Sequence, residues 1–545
     1  MIIGDIIFLI VEIIFALLLI IIAEFAVKLI STKWRICYLL PFAIAIIFVT
    51  VNGIEISMLS AYLGVVITLT GFFADSKKLR QMTGVLGVVL IGIAFPICNL
   101  YPGYRQPDYV KDFKEGFAAM KEHYVLTEHK GIDFDALYEE YLPRFEEANK
   151  HHDEVENYLV WSQFCAEFYD GHVYFVPNSE KTMDEGTARI AGNDYGLSIM
   201  TLSSGDYVAV NVDEESEAYA AGIHNGTVIT AWDGDAIEDE IEKIEYVYFP
   251  SPDKDNEAFY STLLVAGVGG EQVTISYVDD DGKNRDVTVS NSGCFDERMI
   301  ETLDIIDQGL EAGNMSFTEM DDETVVLRIK SMMFDTDSAK QEDFSGMQNE
   351  VRENLLTYKA QGKTRLIVDL RCNGGGHGLM VKALAELLAS EGEHFYSYDG
   401  LWDDSIGNYA VDPETGKYLK GEGVFYMGED IWSQGQIIFL VNGQSASAAD
   451  HFPALLRGQD NVTVMGFTEP CGAGQGVSCK ELESGKIYYS VAVMLDENGD
   501  ILIDSGVDHE SGDDIDIKIP FDEEAVRALF DAGEDYVLKR AMELE

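Results

Sequence analysis

Ile437-Ile438-Phe439-Leu440-Val441-Asn442-Gly443-Gln444-Ser445-Ala446-Ser447-Ala448-Ala449-Asp450 decides the fold. Its apolar opening reads as a strand buried on both faces, Asn442-Gly443 breaks that strand, and a run of small residues opens a helix. A serine ahead of a helix is usually only its N-cap. The same position also lies where the helix dipole and unpaired N–H groups can stabilise a developing oxyanion, which suits a nucleophile. Upstream, Leu366-Ile367-Val368-Asp369-Leu370-Arg371-Cys372-Asn373-Gly374-Gly375-Gly376 is a second strand that ends in glycines before another helix. Glycines there let the backbone approach a ligand closely and aim N–H groups at it. A phosphate cradle is disfavoured, because the Walker spacing and its lysine are missing.

Around these two segments, strand-like and helical stretches alternate: Thr324 to Ile329, Met347 to Ala360, Leu366 to Leu370, Leu379 to Leu388, Ile437 to Val441, Ala448 to Leu456 and Val462 to Met465. Such alternation implies an α/β core, placed here at 292–545. Residues 186–291 have a different texture, with strand-like Tyr207 to Val212 and Gln272 to Tyr277 separated by glycine turns. Tyr195-Gly196-Leu197-Ser198-Ile199 and Glu217 to Ile223 resemble a PDZ domain. In that family the first segment captures a peptide C-terminus while the peptide adds a strand, which implies Tyr195, Gly196, Leu197 and Ile199 as peptide-binding residues. Residues 101–185 read as a small helical bundle, with Asp133 a cap and Asp170-Gly171-His172 at its end.

Residues 1–100 carry four apolar runs, Ile6 to Val27, Ile36 to Val51, Ile56 to Phe73 and Met82 to Leu100. Runs of this size predict four transmembrane helices in a lipid bilayer. Basic residues in the first and third connections (Lys28, Lys33, Arg35; Lys77, Lys78, Arg80) put those loops in the cytoplasm, and the N-terminus and everything after the fourth span outside it. Glu12 falls within the first span, where an ionisable group needs a partner or the interface.

The chain of 545 residues is long enough for three or four domains. Six of its 38 lysines and arginines and five of its 95 acids lie in the first 100 residues, leaving 32 against 90 downstream. That field repels phosphates, so no nucleic-acid partner is expected. Seven cysteines are too few for a disulfide scaffold, although Cys471 and Cys479 leave a pairing open. Neither a metal nor a cofactor is expected.

Taken together, the two core segments resemble the C-terminal processing (tail-specific) serine peptidases, whose core carries a strand leading to Asp-Leu-Arg-x-Asn-x-Gly-Gly and a later Ser-Ala-Ser-Ala-x-acid segment. The resemblance covers roughly residues 105 to 520. It implies a crotonase/ClpP-like α/β peptidase core, with Ser447 as nucleophile and an oxyanion hole made by Ala448 N–H and a glycine N–H from Gly374, Gly375 or Gly376. Most members use a lysine on a Gly-Lys-Gly loop as the base, whereas the loop here reads Gly466-Phe467-Thr468-Glu469-Pro470-Cys471-Gly472-Ala473-Gly474. Lys480 is the nearest lysine downstream and needs a different path. Asp170-Gly171-His172 resembles the tricorn-like branch, which implies His172 as the base and an acid near a Gly-Val segment. Asp504 fits that place, with Asp508 and Glu510 close rivals. The expectation is a membrane-anchored, extracytoplasmic serine endopeptidase acting on protein or peptide tails. The rival reading is an inactive peptide-binding protein of the cell envelope.

Overall fold

Phe113, Phe117 and Met120 recur at helical spacing and form the buried face of α1 (Tyr109–His123). Asp133 caps α2 (Phe134–His151), its carboxylate accepting the N–H groups of Asp135 and Ala136 at 3.1 Å each. With α3 (Glu154–Ala166) these helices enclose an aromatic core. Phe113 stacks on Phe145 with ring centroids 4.4 Å apart, and Trp161 on Phe175 at 5.2 Å. β1 (Tyr174–Pro177) then leaves the helices. The computed structural model describes residues 107–244, 254–308, 313–432, 435–504 and 515–544, with positions 76, 78 and 86. Everything from Tyr109 onward belongs to one unit.

Next come two small antiparallel sheets. β2 (Ser198–Thr201) pairs with β3 (Tyr207–Val210), Ser198 opposite Val210. β4 (Ile229–Trp232), β5 (Gln272–Val278) and β6 (Asn284–Ser290) build the other around buried Trp232, whose indole N–H donates to Val268 C=O at 2.7 Å. α4 (Lys254–Val265) and α5 (Asp296–Asp307) cover β2. Hydroxyl pairs mark both contacts, Thr201 with Thr262 and Ser198 with Thr302, each at 2.8 Å.

The rest is an α/β layer. β7 (Met315–Glu319) lies antiparallel to β8 (Thr324–Ile329), which α6 (Ser345–Ala360) connects to β9 (Arg365–Asp369). After α7 (Gly378–Leu388) and a long hairpin, Gly392–Gly400 with Lys420–Gly428, β10 (Gln436–Leu440) follows. It feeds α8 (Ala448–Leu456) and β11 (Val462–Gly466). β8, β9, β10, β11 and the short Ile517–Lys518 are parallel, with Val326, Ile367, Ile438 and Thr463 in register across the first four. Near-continuous apolar strands suit a sheet covered on both faces. Loops at the carboxyl ends of such strands are where open α/β sheets bind ligands, and both sequence segments singled out above leave from there.

Outside this sheet, β12 (Gly476–Glu481) pairs with β13 (Gly485–Ala492), and β13 pairs with β1, Tyr174 opposite Tyr488. The bundle is pinned at the same hairpin. Buried Asp112 accepts Ser484 N–H at 2.7 Å, Ser484 O–H at 2.6 Å and Glu483 N–H at 3.0 Å.

The membrane expectation is corrected. Apart from position 86, all four predicted spans lie outside the described residues, and no helix among the described residues is long and apolar enough to cross a membrane. A span needs about 20 apolar residues. The longest described helix, α2, has 18 and carries charges throughout. An integral membrane protein with a bilayer partner and an extracytoplasmic peptidase is therefore not carried forward.

Candidate active site

β10 ends at Leu440, and the chain turns sharply before α8. Ser445 O–H donates to Leu370 C=O at 2.9 Å and Ala446 N–H to Asn373 C=O at 2.9 Å, which sews this turn to the loop after β9. Ser447, the N-cap of α8, is held at φ 59°, a conformation strained for any residue but glycine. Its N–H donates to Asp450 Oδ2 at 2.8 Å. Ala448 N–H has no acceptor among the described residues, as expected at the start of a helix.

The glycine loop lies directly against this serine. A Cβ on Gly375, whose φ is +85°, would come within 2.4 Å of Ala446 O, 2.7 Å of Ser447 Cβ and 3.0 Å of Ala448 N. Only glycine allows that approach. Gly375 N–H is already given to Asn373 Oδ1 at 2.9 Å, which leaves Gly374 and Gly376 as the glycine donors. Beneath the loop, Arg371 bonds Asp369 through Nε at 2.9 Å and Nη2 at 2.8 Å, and Asp535 at 2.8 and 2.7 Å. Arg328 joins Asp369 as well. Paired in this way, Asp369 keeps its carboxyl below the usual range although it is buried.

His172 arrives from the other side of the sequence. Asp170 Oδ1 accepts His172 N–H at 2.9 Å, while Oδ2 takes Ser490 O–H at 2.8 Å and Tyr124 O–H at 3.1 Å. Just after it, β1 joins β13, so the imidazole is delivered to the strand pair that follows Gln475. Burial pushes the ring's pKa below 6.5, and the Asp170 charge and the Gln475 backbone oppose that less strongly. His172 Nδ1 is buried without a hydrogen-bond partner among the described residues.

Two neighbours of Ser447, Asp450 of the quoted segment and His451 after it, were given no role by the sequence reading. Asp450 is fully buried, and its Oδ2 accepts both Ser447 N–H and Ala473 N–H, the latter at 2.9 Å. Burial pushes its carboxyl up to about 8 against the pull of these N–H groups. The spacing of four-residue capping signatures was the signal available for it. His451, one turn beyond Ser447, bonds Gly474 C=O at 3.1 Å. Burial pushes it down to about 4, with His172 close enough to add to the fall. Residues 473–475 thus run between the two segments, touching Asp450, His451 and His172 in turn.

Other predicted residues are placed differently. Among the described residues, no hydrogen bond joins the His172 ring to Ser447. The carboxylate of Asp504, expected as the partner of His172, is engaged by Lys130 Nζ at 2.6 Å and His129 Nε2 at 3.0 Å. Asp508 and Glu510 lie outside the described residues. Lys480 sits in β12 opposite Ile487. Cys471 and Cys479 are not joined in a disulfide. Tyr195, Gly196, Leu197 and Ile199 are all buried. Gly196 N–H is spent on Asp194 Oδ1 at 2.8 Å, and Tyr195 O–H on Gly270 C=O at 2.8 Å. Beside them, α4 packs against β2, where a peptide strand would have to enter.

Residues 323–511 match the model of peptidase family S41, and residues 106–156 match the C1 domain of the Tricorn protease. No curated protein sequence matches the chain. Among solved structures, mature CPAF complexed with lactacystin aligns at 15% identity and TM-score 0.50, covering 80% of this chain and 97% of its own. A serine-to-alanine mutant of CPAF aligns at 14% identity and TM-score 0.50, covering 80% and 96%. The photosystem II D1 C-terminal processing protease aligns at 18% identity, with TM-score 0.33 and coverage of 79% and 98%. At these identities the CPAF likeness speaks for the fold.

Proposed function

We propose that this serine peptidase, whose residues 323–511 match peptidase family S41, cleaves protein or peptide chains through an acyl-enzyme on Ser447. The observation that carries the reading is Gly375, whose missing side chain lets the glycine loop lie against Ser447 and the open N–H of Ala448. In this mechanism Ser447 Oγ attacks the scissile carbonyl while its proton passes to His172, which hands it to the departing amine. Water then attacks the ester, giving its proton to His172, which returns it to Ser447 Oγ as the ester bond breaks and the acid product leaves. Ala448 N–H, with Gly374 or Gly376 N–H, holds the oxyanion. His172 must move into reach of Ser447 when substrate binds, since catalytic hydrogen bonds often close only in the complex.

A cleft of about 1730 Å³, lined among others by Tyr124, His129, Tyr396, Tyr418, His451 and Ile503, opens one helical turn from Ser447 and offers a bed for a substrate chain. Engagement of C-terminal tails by the PDZ-like segment requires α4 to give up its place against β2. The test is labelling of the purified chain with a fluorophosphonate. Loss of label in Ser447→Ala and in His172→Ala supports the reading. Label retained in Ser447→Ala removes it, and no label on the parent chain favours a binding protein without catalysis.

A further inference from the structure

Asp307, the last residue of α5, is buried and takes no part in the serine chemistry above. Its Oδ1 accepts Tyr260 O–H from α4 at 3.0 Å, and its Oδ2 accepts Gln444 Nε2–H at 2.8 Å. Gln444 belongs to the turn that ends at Ser447, and Tyr260 is buried too. One carboxylate thus receives a donor from the helix covering β2 and a donor from the serine turn. Burial pushes the Asp307 carboxyl up to about 6, against the opposing pull of Asn442, Tyr260, Gln444 and Arg371. Tyr260 also faces Thr468, whose Oγ1 accepts Gly443 N–H from the same turn at 3.0 Å.

We propose that Asp307 is a positioning residue that fixes the serine turn through Gln444 and, through Tyr260, makes the placement of α4 and the placement of Ser447 interdependent. The inference rests on Ser447 being the nucleophile. Its physical content is an asymmetry: a buried carboxylate that loses one of two donors keeps its desolvation cost without its partner, so either contact strengthens the case for the other.

The experiment measures saturation of fluorophosphonate labelling on the full chain, separating the maximal labelling rate from the half-saturating concentration. Asp307→Ala removes both acceptors, leaving the Gln444 amide and the Tyr260 hydroxyl without theirs, and should slow the maximal rate roughly tenfold with half-saturation unchanged. Gln444→Leu, which removes only the contact to the serine turn, should slow it by a similar factor and add little to Asp307→Ala. Tyr260→Phe should slow labelling less, and should add nothing to Asp307→Ala. The proposal is overturned if folded Asp307→Ala labels like the parent, if folded Gln444→Leu labels like the parent, or if the Tyr260 and Asp307 effects simply add. Failure of the parent chain to label on Ser447 is a separate result, and removes the nucleophile assignment itself.

Discussion

Asp450 Oδ2 accepts the backbone N–H of Ser447 at 2.8 Å and, with the same oxygen, that of Ala473 at 2.9 Å. One carboxyl therefore ties Ser447 to the strip of chain that passes His172. Burial raises its pKa from 3.8 to about 8, so in the folded protein it holds a proton that the unfolded chain has lost. By linkage, stability contributed by this group is present below about pH 4 and is lost as pH rises toward 8. Melting temperature measured from pH 5 to 8 should fall less steeply in Asp450→Asn than in the parent. An unchanged slope would show that Asp450 ionises freely in the fold.

Gly375→Ala should cripple the enzyme without any change in the residues that do chemistry. The added methyl meets Ala446 O at 2.4 Å at a φ of +85°. The strain is of order 1–3 kcal/mol before neighbours move. Labelling of Ser447 should fall more than global stability does, read by melting alongside the labelling rate. Gly374→Ala, where a Cβ would meet nothing within 4 Å, is the matched control.

His172→Ala should lower turnover by about six orders of magnitude, the cost of losing the histidine base of a serine triad. A base must be neutral to accept a proton, and burial holds this imidazole below its usual 6.5. The acid limb of the kcat/KM profile should accordingly lie below pH 6.5. An acid limb centred above 7 would assign the limb to another group.

Asp504 and Lys130 make a test of position against chemistry. Their side chains are each 2% exposed and 2.6 Å apart, and Lys130 Nζ also donates to Tyr169 C=O at 2.7 Å, three residues before His172. Asp504→Asn takes a buried charge partner from Lys130, which costs about 3–5 kcal/mol. Lys130→Met with Asp504→Asn should restore much of the melting temperature. Activity of the folded double variant should stay far above the roughly 10⁴-fold loss expected for a triad acid. A loss of that size, with stability intact, would return Asp504 to the chemistry.

Much of the core was legible because its strands and helices carry their own periodicity. Thr324–Ile329 and Ala448–Leu456 end where the apolar patterns end, and Asp133 caps α2 as its side-chain chemistry suggests. The hairpin from Gly392 to Gly428 and the β12–β13 pair were not legible. Their strands are polar and irregular, and gain their order from partners distant in sequence, with bulges at Phe395/Ser397 and Gly476/Val477. The loops after β9 and β10 announced themselves by glycines and small residues. Asp307, Asp450 and Lys130 did not, because what distinguishes a buried charged group from a solvated one is its tertiary surroundings, in a chain rich in acids. Tyr195 and Gly196 misled for a related reason: a backbone nest reads the same whether a peptide or its own Asp194 fills it.

Because β1 enters the β13 edge immediately after His172, the proposed base and the proposed nucleophile come from stretches far apart in the chain. The segment that matches the S41 model begins at residue 323, well past that imidazole. Nicked or synthesised by halves, the polypeptide would hold Ser447 on one fragment and His172 on the other, so the proposed chemistry would await their assembly.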